Sequence, residues 1–384
     1  MTPPPAARPA VLDLPPYVPG RRADSELIAA LASNESHFPP LPSVLQTVQR
    51  AAAGINRYPD SAAVQLRERL AERLGTAVGE IAVGPGSTGV LQQILTGFCD
   101  AGDEVVFAWR SFDAYPVLTR LVGAVPVGVP LRADEGHDLD AMLAAITERT
   151  RVVLLCTPNN PTGVGIGAAE LEHFVAAVPP TVLVVIDEAY VEYGAGAAGS
   201  AAQIDSVALR LRHPHVCVLR TFSKAYGLAG LRVGYAVAAE QVAESLRRTG
   251  MPFAVSALAQ QAAVASLEPA ADAEIADRLA AVRAERSRLT RQLRNRGWVT
   301  TESQANFVWL RMPDPARERL VAAFSASDIL VRGYPGDGVR VSLADRATGE
   351  RVLAVLDTFD PKSLQGGPPT APAKTASALA GAAR

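Results

Sequence analysis

A single lysine, Lys224, stands between Ser223 and a run of small residues in "RTFSKAYGLAGLRVGY" (220–235), with Arg232 eight positions on. A lysine amine becomes a useful nucleophile near neutral pH when burial or nearby cations lower its pKa. Lys224 is therefore a candidate for a Schiff base with an aldehyde, and Arg232 beside Ser223 for pairing with a phosphate dianion. Three more stretches would complete a site for a phosphate-bearing aromatic cofactor. In "GPGSTGVLQQIL" (84–95), Gly84, Gly86 and Gly89 allow close backbone approach and Ser87 and Thr88 can donate hydroxyls. The helix that opens there offers amides to an anion, although the same pattern also serves as an ordinary cap. In "TPNNPTGVG" (157–165), Asn160 can donate to a phenolic oxygen from a turn fixed by Pro161 and Gly163, or the segment is a plain structural turn. In "VLVVIDEAYVEY" (182–193), Asp187 ends an apolar strand. A carboxylate there is costly to bury unless it meets a positive partner such as a protonated pyridine nitrogen, or caps a helix toward water. Tyr190, three residues on, can reach the same ligand. Each residue alone has a structural explanation; their conjunction points to chemistry.

The segments that must position these residues read as an α/β fold. Short runs, "EVVFA" from Glu104, "VPVGV" from Val125, "VVLLC" from Val152, "VLVVID" from Val182, "VCVL" from Val216 and "VGYAVA" from Val233, are nearly continuous in apolar character. That pattern suits strands buried on both faces of a parallel sheet. "AVQLRERLAERLG" (63–75) has helical periodicity and ends on a glycine suited to C′. From about Asp277 to Arg296, Leu279, Val282, Leu289 and Leu293 form one stripe and the opposite face carries arginines, which reads as a solvated amphipathic helix rather than an RNA-binding one. A change of composition near Thr249–Pro252, then a long helix, "ANFVWLR" and "GVRVSLA", predicts a second, smaller α/β unit.

Bulk properties narrow the partners. Lys+Arg 37 against Asp+Glu 39 gives a formal charge of −2, with no surplus to draw the chain to nucleic acid or acidic membranes. No signal-peptide pattern or long apolar run is present, so a soluble, cytoplasmic protein is expected. Cys99, Cys156 and Cys217 lie far apart and the five histidines offer only His213 and His215 as a close pair. No disulfide and no metal site is expected. Proline, alanine and glycine dominate the first ten residues and the tail from about Gly366, which read as disordered.

"NNPTG", "DEAY" and "SKAYGLAGLR", in this order and spacing, resemble the fold type I pyridoxal-phosphate aminotransferases, in the branch that holds the histidinol-phosphate and aromatic amino-acid enzymes. "PYVPG" (16–20), "SNES" (33–36), "RYPD" (57–60), "SQANFVWL" (303–310) and "GVRVS" (338–342) extend the likeness over most of 11–360. It implies a large domain with a mostly parallel, seven-stranded type of sheet between helices, and a smaller α/β C-terminal domain. The implied divisions are a disordered 1–10, an N-terminal arm 11–45, a large domain 46–249, a small domain 250–360 and a disordered tail 361–384. By the same resemblance Lys224 anchors pyridoxal 5'-phosphate and moves the substrate proton, and Asp187 keeps the pyridine nitrogen protonated. Asn160 and Tyr190 bond the phenolic oxygen. Gly86, Ser87, Thr88, Ser223 and Arg232 hold the phosphate, joined by Tyr58 from a neighbouring subunit of a homodimer with composite sites. Phe112 stacks on the ring, or packs in the core. Arg340 takes the substrate carboxylate, with Tyr17, Asn306 and Arg332 lining the same side. "Gly86-Ser87-Thr88-Gly89" and "Arg110-Ser111-Phe112" depart from the histidinol-phosphate pattern and resemble the actinobacterial aromatic enzymes. The expected reaction is therefore amino transfer between an aromatic amino acid and 2-oxoglutarate. Histidinol-phosphate transamination is the alternative, and a binding protein of the same fold without turnover a remote one.

Overall fold

The computed structural model describes residues 5, 7–12, 14, 27–194 and 205–365. Eleven strands among them fall into two sheets: β1 (Ala29–Leu31), β2 (Ile81–Gly84), β3 (Glu104–Trp109), β4 (Val125–Pro130), β5 (Thr150–Cys156), β6 (Leu183–Asp187), β7 (Val216–Thr221), β8 (Gly234–Ala238), β9 (Phe307–Arg311), β10 (Ile329–Tyr334) and β11 (Gly338–Ser342). The larger sheet has seven strands in the order β2-β8-β7-β6-β5-β3-β4, and the smaller has four in the order β1-β10-β11-β9. All six expected strands of the large sheet form. One departs from the parallel expectation, because β8 runs antiparallel to both β7 and β2.

Double-sided burial explains the apolar runs. In β3, Val105 and Phe107 pack on one side of the sheet with Leu91, Ile94 and Leu118, while Val106 and Ala108 pack on the other with Val153, Leu155 and Ile186. Alternate residues of a strand face opposite sides, so a sheet covered by helices on both faces needs apolar residues at every position. Each fully buried valine, leucine or phenylalanine contributes about 1.5–3 kcal/mol relative to exposure.

The helix expected at 63–75 spans Val64–Leu74 and ends on Gly75 at φ +63°, the left-handed conformation for which glycine carries no Cβ penalty. The long helix runs from Pro269 to Asn295 and buries Leu279, Val282, Leu289 and Leu293 as the stripe predicted. Its arginines are less solvated than expected. Arg286 is buried and donates to the carbonyls of Tyr193 and Ala305, while Arg288 pairs with Glu285 and Glu350. Two short helices stand near the ends: Pro9–Leu12 begins inside the first ten residues read from composition as disordered, and Pro361–Leu364 begins inside the tail 361–384 that the resemblance implies. The second is capped by Asp360 and buries Leu364. No helix among the described residues is long and apolar enough to cross a membrane.

Candidate active site

Sheet register assembles the candidate residues. Cys156, the last residue of β5, pairs with Asp187, the last of β6, and Asp187 pairs with Leu219, two residues short of the end of β7. Neighbouring strands lie about 4.8 Å apart, so the Asn159-Asn160 turn, Asp187 and the Ser223-Lys224 segment emerge side by side at the carboxyl edge, where open α/β sheets bind ligands. The turn after β3 lies alongside and carries Ser111 and Phe112. Ser111 donates to Asn159 Oδ1 at 2.7 Å, and Asn159 Nδ2 donates to the Arg110 carbonyl at 3.2 Å and to Thr162 Oγ1 at 3.0 Å. These bonds fix one strand-end turn on the next.

Asp187 is buried and accepts from the Tyr115 hydroxyl at 2.8 Å and from the Ala189 amide at 3.3 Å. Burial, only partly offset by those donors, pushes its pKa up to about 6. A cationic hydrogen-bond donor at this carboxylate would relieve that cost. Lys224 shows the opposite perturbation: burial first, then Arg340 and Arg232, bring its amine down to about 7. Its Nζ donates to the Ser33 carbonyl at 2.9 Å and lies 5.9 Å from the centre of the Tyr190 ring. Tyr190 is buried edge-to-face against Phe307, and its hydroxyl accepts from Asn34 Nδ2 at 3.0 Å.

Arg232 adopts φ +57°, an uncommon conformation for a residue with a Cβ, and donates through Nη1 to Ser223 Oγ at 3.3 Å and to the Ala229 carbonyl at 3.0 Å. Across from it begins the helix Gly86–Phe98. Gly86 has φ +78°, and a Cβ there would collide with Arg232 Nη2; one on Gly234 would collide with the backbone nitrogen of Ser87. The N-terminus of this helix, which carries Ser87 and Thr88, thus lies against Arg232 and its partner Ser223 so closely that added methyl groups would collide. Phe112 is half-buried, edge-to-face with Tyr115 at 5.6 Å.

Arg340 reaches the same place from the small sheet. It is buried and donates to Asn160 Oδ1, to the Tyr334 hydroxyl at 2.8 Å and to the Ala32 carbonyl at 2.5 Å, while its Nε has no partner. All three acceptors are neutral, and no carboxylate among the described residues pairs with it. A buried guanidinium without a counter-ion is costly unless an anion arrives. Because Asn160 spends its oxygen on Arg340, its Nδ2 group has no hydrogen-bond partner among the described residues and can donate to a ligand. Asn306 is buried, donates to the Asn34 carbonyl at 3.2 Å and leaves Oδ1 unpartnered. Arg332 lies directly opposite Arg340 in the β10–β11 register and pairs with Asp113.

Tyr58, expected from a neighbouring subunit, does not join this cluster within its own chain. Tyr58 is 83% exposed, with its ring stacked on Phe253 at 4.7 Å, and Tyr17 lies outside the described residues. Four residues with no role assigned from sequence complete the site. Asn34 binds Tyr190, Ser342 and Asn306; Tyr115 binds Asp187; Tyr334 accepts from Arg340; and Asp113 meets Arg332. The quoted "SNES" motif was a signal for Asn34.

Comparison with known proteins agrees with this geometry. The family model described as aminotransferase class I and II matches residues 28–355. An aromatic amino acid aminotransferase of Streptomyces coelicolor is 48% identical over 360 residues, covering 92% of this chain and 98% of that protein. One of Rhodococcus jostii is 49% identical over 361 residues, covering 94% and 98%. Among solved structures, the histidinol-phosphate aminotransferase of Sinorhizobium meliloti in complex with pyridoxal-5'-phosphate superposes with a TM-score of 0.82 at 30% identity, covering 92% of this chain and 98% of that one. With its mostly parallel seven-stranded sheet, its strand-end lysine and carboxylate, and a family match over most of its length, the chain belongs to the class I and II aminotransferases.

Proposed function

We propose that the protein is a pyridoxal 5'-phosphate-dependent aromatic amino-acid aminotransferase that moves the amino group between phenylalanine, tyrosine or tryptophan and 2-oxoglutarate by a ping-pong mechanism. The observation that carries this reading is the meeting of Lys224, whose amine is lowered to about 7, with Arg340, a buried guanidinium that has only neutral partners. A neutral amine beside a carboxylate receptor is what transfer of an α-amino group requires.

The residues present fit the cofactor. Asp187, whose buried carboxylate lacks a cationic partner, would hold a proton shared with the ring nitrogen. The unpartnered Nδ2 of Asn160 and the Tyr190 hydroxyl would donate to the phenolic oxygen, and Phe112 would cover the ring. Gly86, Ser87 and Thr88 with Ser223 and Arg232 would hold the phosphate. When bound, the cofactor supplies an electron sink for the charge that develops at the substrate Cα. Lys224 Nζ would anchor it and, with its amine free, would take the proton from the substrate Cα and hold it for return. Arg340 fixes the substrate carboxylate so that the Cα–H bond faces Lys224, with Asn306 and Arg332, and Tyr17 from the segment outside the description, on the same side. The exposed Tyr58–Phe253 stack, with Met251 also exposed, supports a homodimer in which Tyr58 of the partner subunit joins the phosphate cradle.

Arginine binds phosphate and carboxylate alike, so a histidinol-phosphate reading is favoured by one observation, the Arg332–Arg340 pair facing one another across β10 and β11. The relatives at 48% and 49% identity weigh toward aromatic substrates. Parallel measurement of kcat/KM with 2-oxoglutarate as acceptor separates the two. Phenylalanine is expected to exceed histidinol phosphate, with phenylpyruvate and glutamate formed in equal amounts. Prompt turnover of histidinol phosphate with negligible rates on all three aromatic amino acids would overturn the aromatic reading.

A further inference from the structure

We propose that Asp113 is a specificity-determining residue: its carboxylate occupies Arg332 and tilts the substrate side-chain pocket toward neutral rings over anionic side chains. This rests on the aminotransferase reading above and deepens it.

Three guanidiniums surround the Tyr334 ring, those of Arg110, Arg332 and Arg340, each with its carbon 5.6–5.8 Å from the ring centre. Like charges placed directly opposite on paired strands repel, and Arg332 and Arg340 are such a pair. The structure compensates two of the three. Arg110 meets Asp337 at 2.5 Å, and Arg332 meets Asp113 at 3.3 Å. Among the described residues, Arg340 alone of the three keeps only neutral partners. Among those residues one positive charge is left uncompensated, which suits one substrate carboxylate.

The position of Asp113 argues against an ordinary structural task. It precedes the helix Ala114–Leu121 at the N-cap position, where an aspartate usually accepts from an amide of the first turn. Here its backbone is already helical and its side chain makes no capping bond. The carboxylate turns instead to Arg332 through Oδ2 and to Arg110 through Oδ1 at 3.5 Å. It also follows Phe112, the ring placed beside the cofactor and substrate. Asp113 thus gives up a capping bond and holds a guanidinium across the gap between the large-sheet turn and the small sheet.

A substrate with a neutral aromatic side chain leaves the Asp113–Arg332 pair intact. An anionic side chain must displace Asp113 from Arg332 and also approach its negative charge. The pair is about a third exposed on each side, so it is weak. The γ-carboxylate of glutamate or 2-oxoglutarate can displace it at modest cost, whereas a phosphate dianion meets greater repulsion.

The test compares the holoenzyme with Asp113→Asn and Asp113→Glu. Specificity constants are measured for phenylalanine, glutamate and histidinol phosphate, and Kd values by calorimetry for two unreactive probes, 3-phenylpropionate and glutarate. In Asp113→Asn the ratio of anionic to aromatic kcat/KM is expected to rise about five- to tenfold, as is the relative affinity for glutarate. Asp113→Glu is expected to keep the wild-type ratios. General damage to the fold would lower all substrates together and leave the ratios in place, so unchanged ratios in Asp113→Asn overturn the proposal. A wild-type enzyme that prefers histidinol phosphate would defeat the aromatic reading, while the probe ratios in Asp113→Asn still decide the role of Asp113.

Discussion

Replacing Lys224 by methionine separates the cost of an active-site amine from its use. The displacement of its pKa from an ordinary 10.5 to about 7 corresponds to about 5 kcal/mol of preference for the neutral form. The side chain is partly accessible, so roughly half of that is a realistic stability cost once solvent screening is counted. Because the folded-state pKa lies below the unfolded one, the folded protein binds fewer protons between them. The cost is therefore fully present below about pH 7, is relieved as pH rises toward 10.5, and is absent above it. Methionine matches the length of the aliphatic stem but cannot donate to the Ser33 carbonyl, a bond of 2.9 Å worth about 1 kcal/mol. The apoprotein of Lys224→Met is thus expected to be more stable than wild type by about 1–2 kcal/mol at pH 6–7, and slightly less stable at pH 10.5. Urea unfolding midpoints of the two apoproteins across this range measure the difference, and titrations common to both cancel. A difference that does not change with pH would show that Lys224 is not held neutral by its surroundings, and the basis for its role as a base would go with it.

Asp187→Asn should lower kcat for transamination by about 100-fold or more, since an amide cannot hold the proton at the ring nitrogen; steady-state rates at saturating cofactor check this. In the apoprotein the raised pKa of Asp187 makes its cost present above about pH 6 and relieves it as pH falls toward 3.8. The same variant should therefore gain stability at pH 8 relative to pH 5 in urea unfolding. Gly86→Ala should destabilise by about 1–2 kcal/mol from its positive φ alone and push Arg232 aside, weakening pyridoxal phosphate binding about tenfold in a spectrophotometric titration of the apoprotein. Arg340→Lys keeps the charge but loses the fork that reaches Asn160, Tyr334 and Ala32. Its kcat/KM should fall roughly 10–100-fold for phenylalanine and 2-oxoglutarate alike, because both present an α-carboxylate. A loss confined to one of the two would mean that Arg340 reads the side chain instead.

The large sheet was legible because β3 and β5 to β8 are buried on both faces and so carry an apolar residue at nearly every position, while the largely exposed edge strand β4 keeps an apolar run of its own. β2 and β1 were missed because four and three residues carry too little pattern. β10 was missed because "ILVRGY" interrupts its apolar run with Arg332 and Gly333, one a site residue and the other packed against Arg317. The antiparallel course of β8 left no mark in its composition, since a strand buried on both faces needs apolar residues in either direction. Lys224, Asp187 and Asn160 were legible because each follows or ends a strand, and Arg232 because it sits just before one, where a polar residue is conspicuous. Tyr115, Tyr334 and Asp113 were not, because the partners that tie them to the site from other elements lie 72 to 219 positions away. Such pairings are fixed by tertiary packing and have no local signature.

The most direct test of Lys224 as the group that moves the substrate proton is loss of deuterium from the Cα of labelled phenylalanine, followed by mass spectrometry with no oxo-acid acceptor present. Wild-type holoenzyme is expected to exchange the label for solvent hydrogen and to release up to one equivalent of phenylpyruvate per site. Lys224→Ala, shown to retain noncovalent pyridoxal phosphate, is expected to do neither. Exchange at the wild-type rate in that variant would contradict the mechanism.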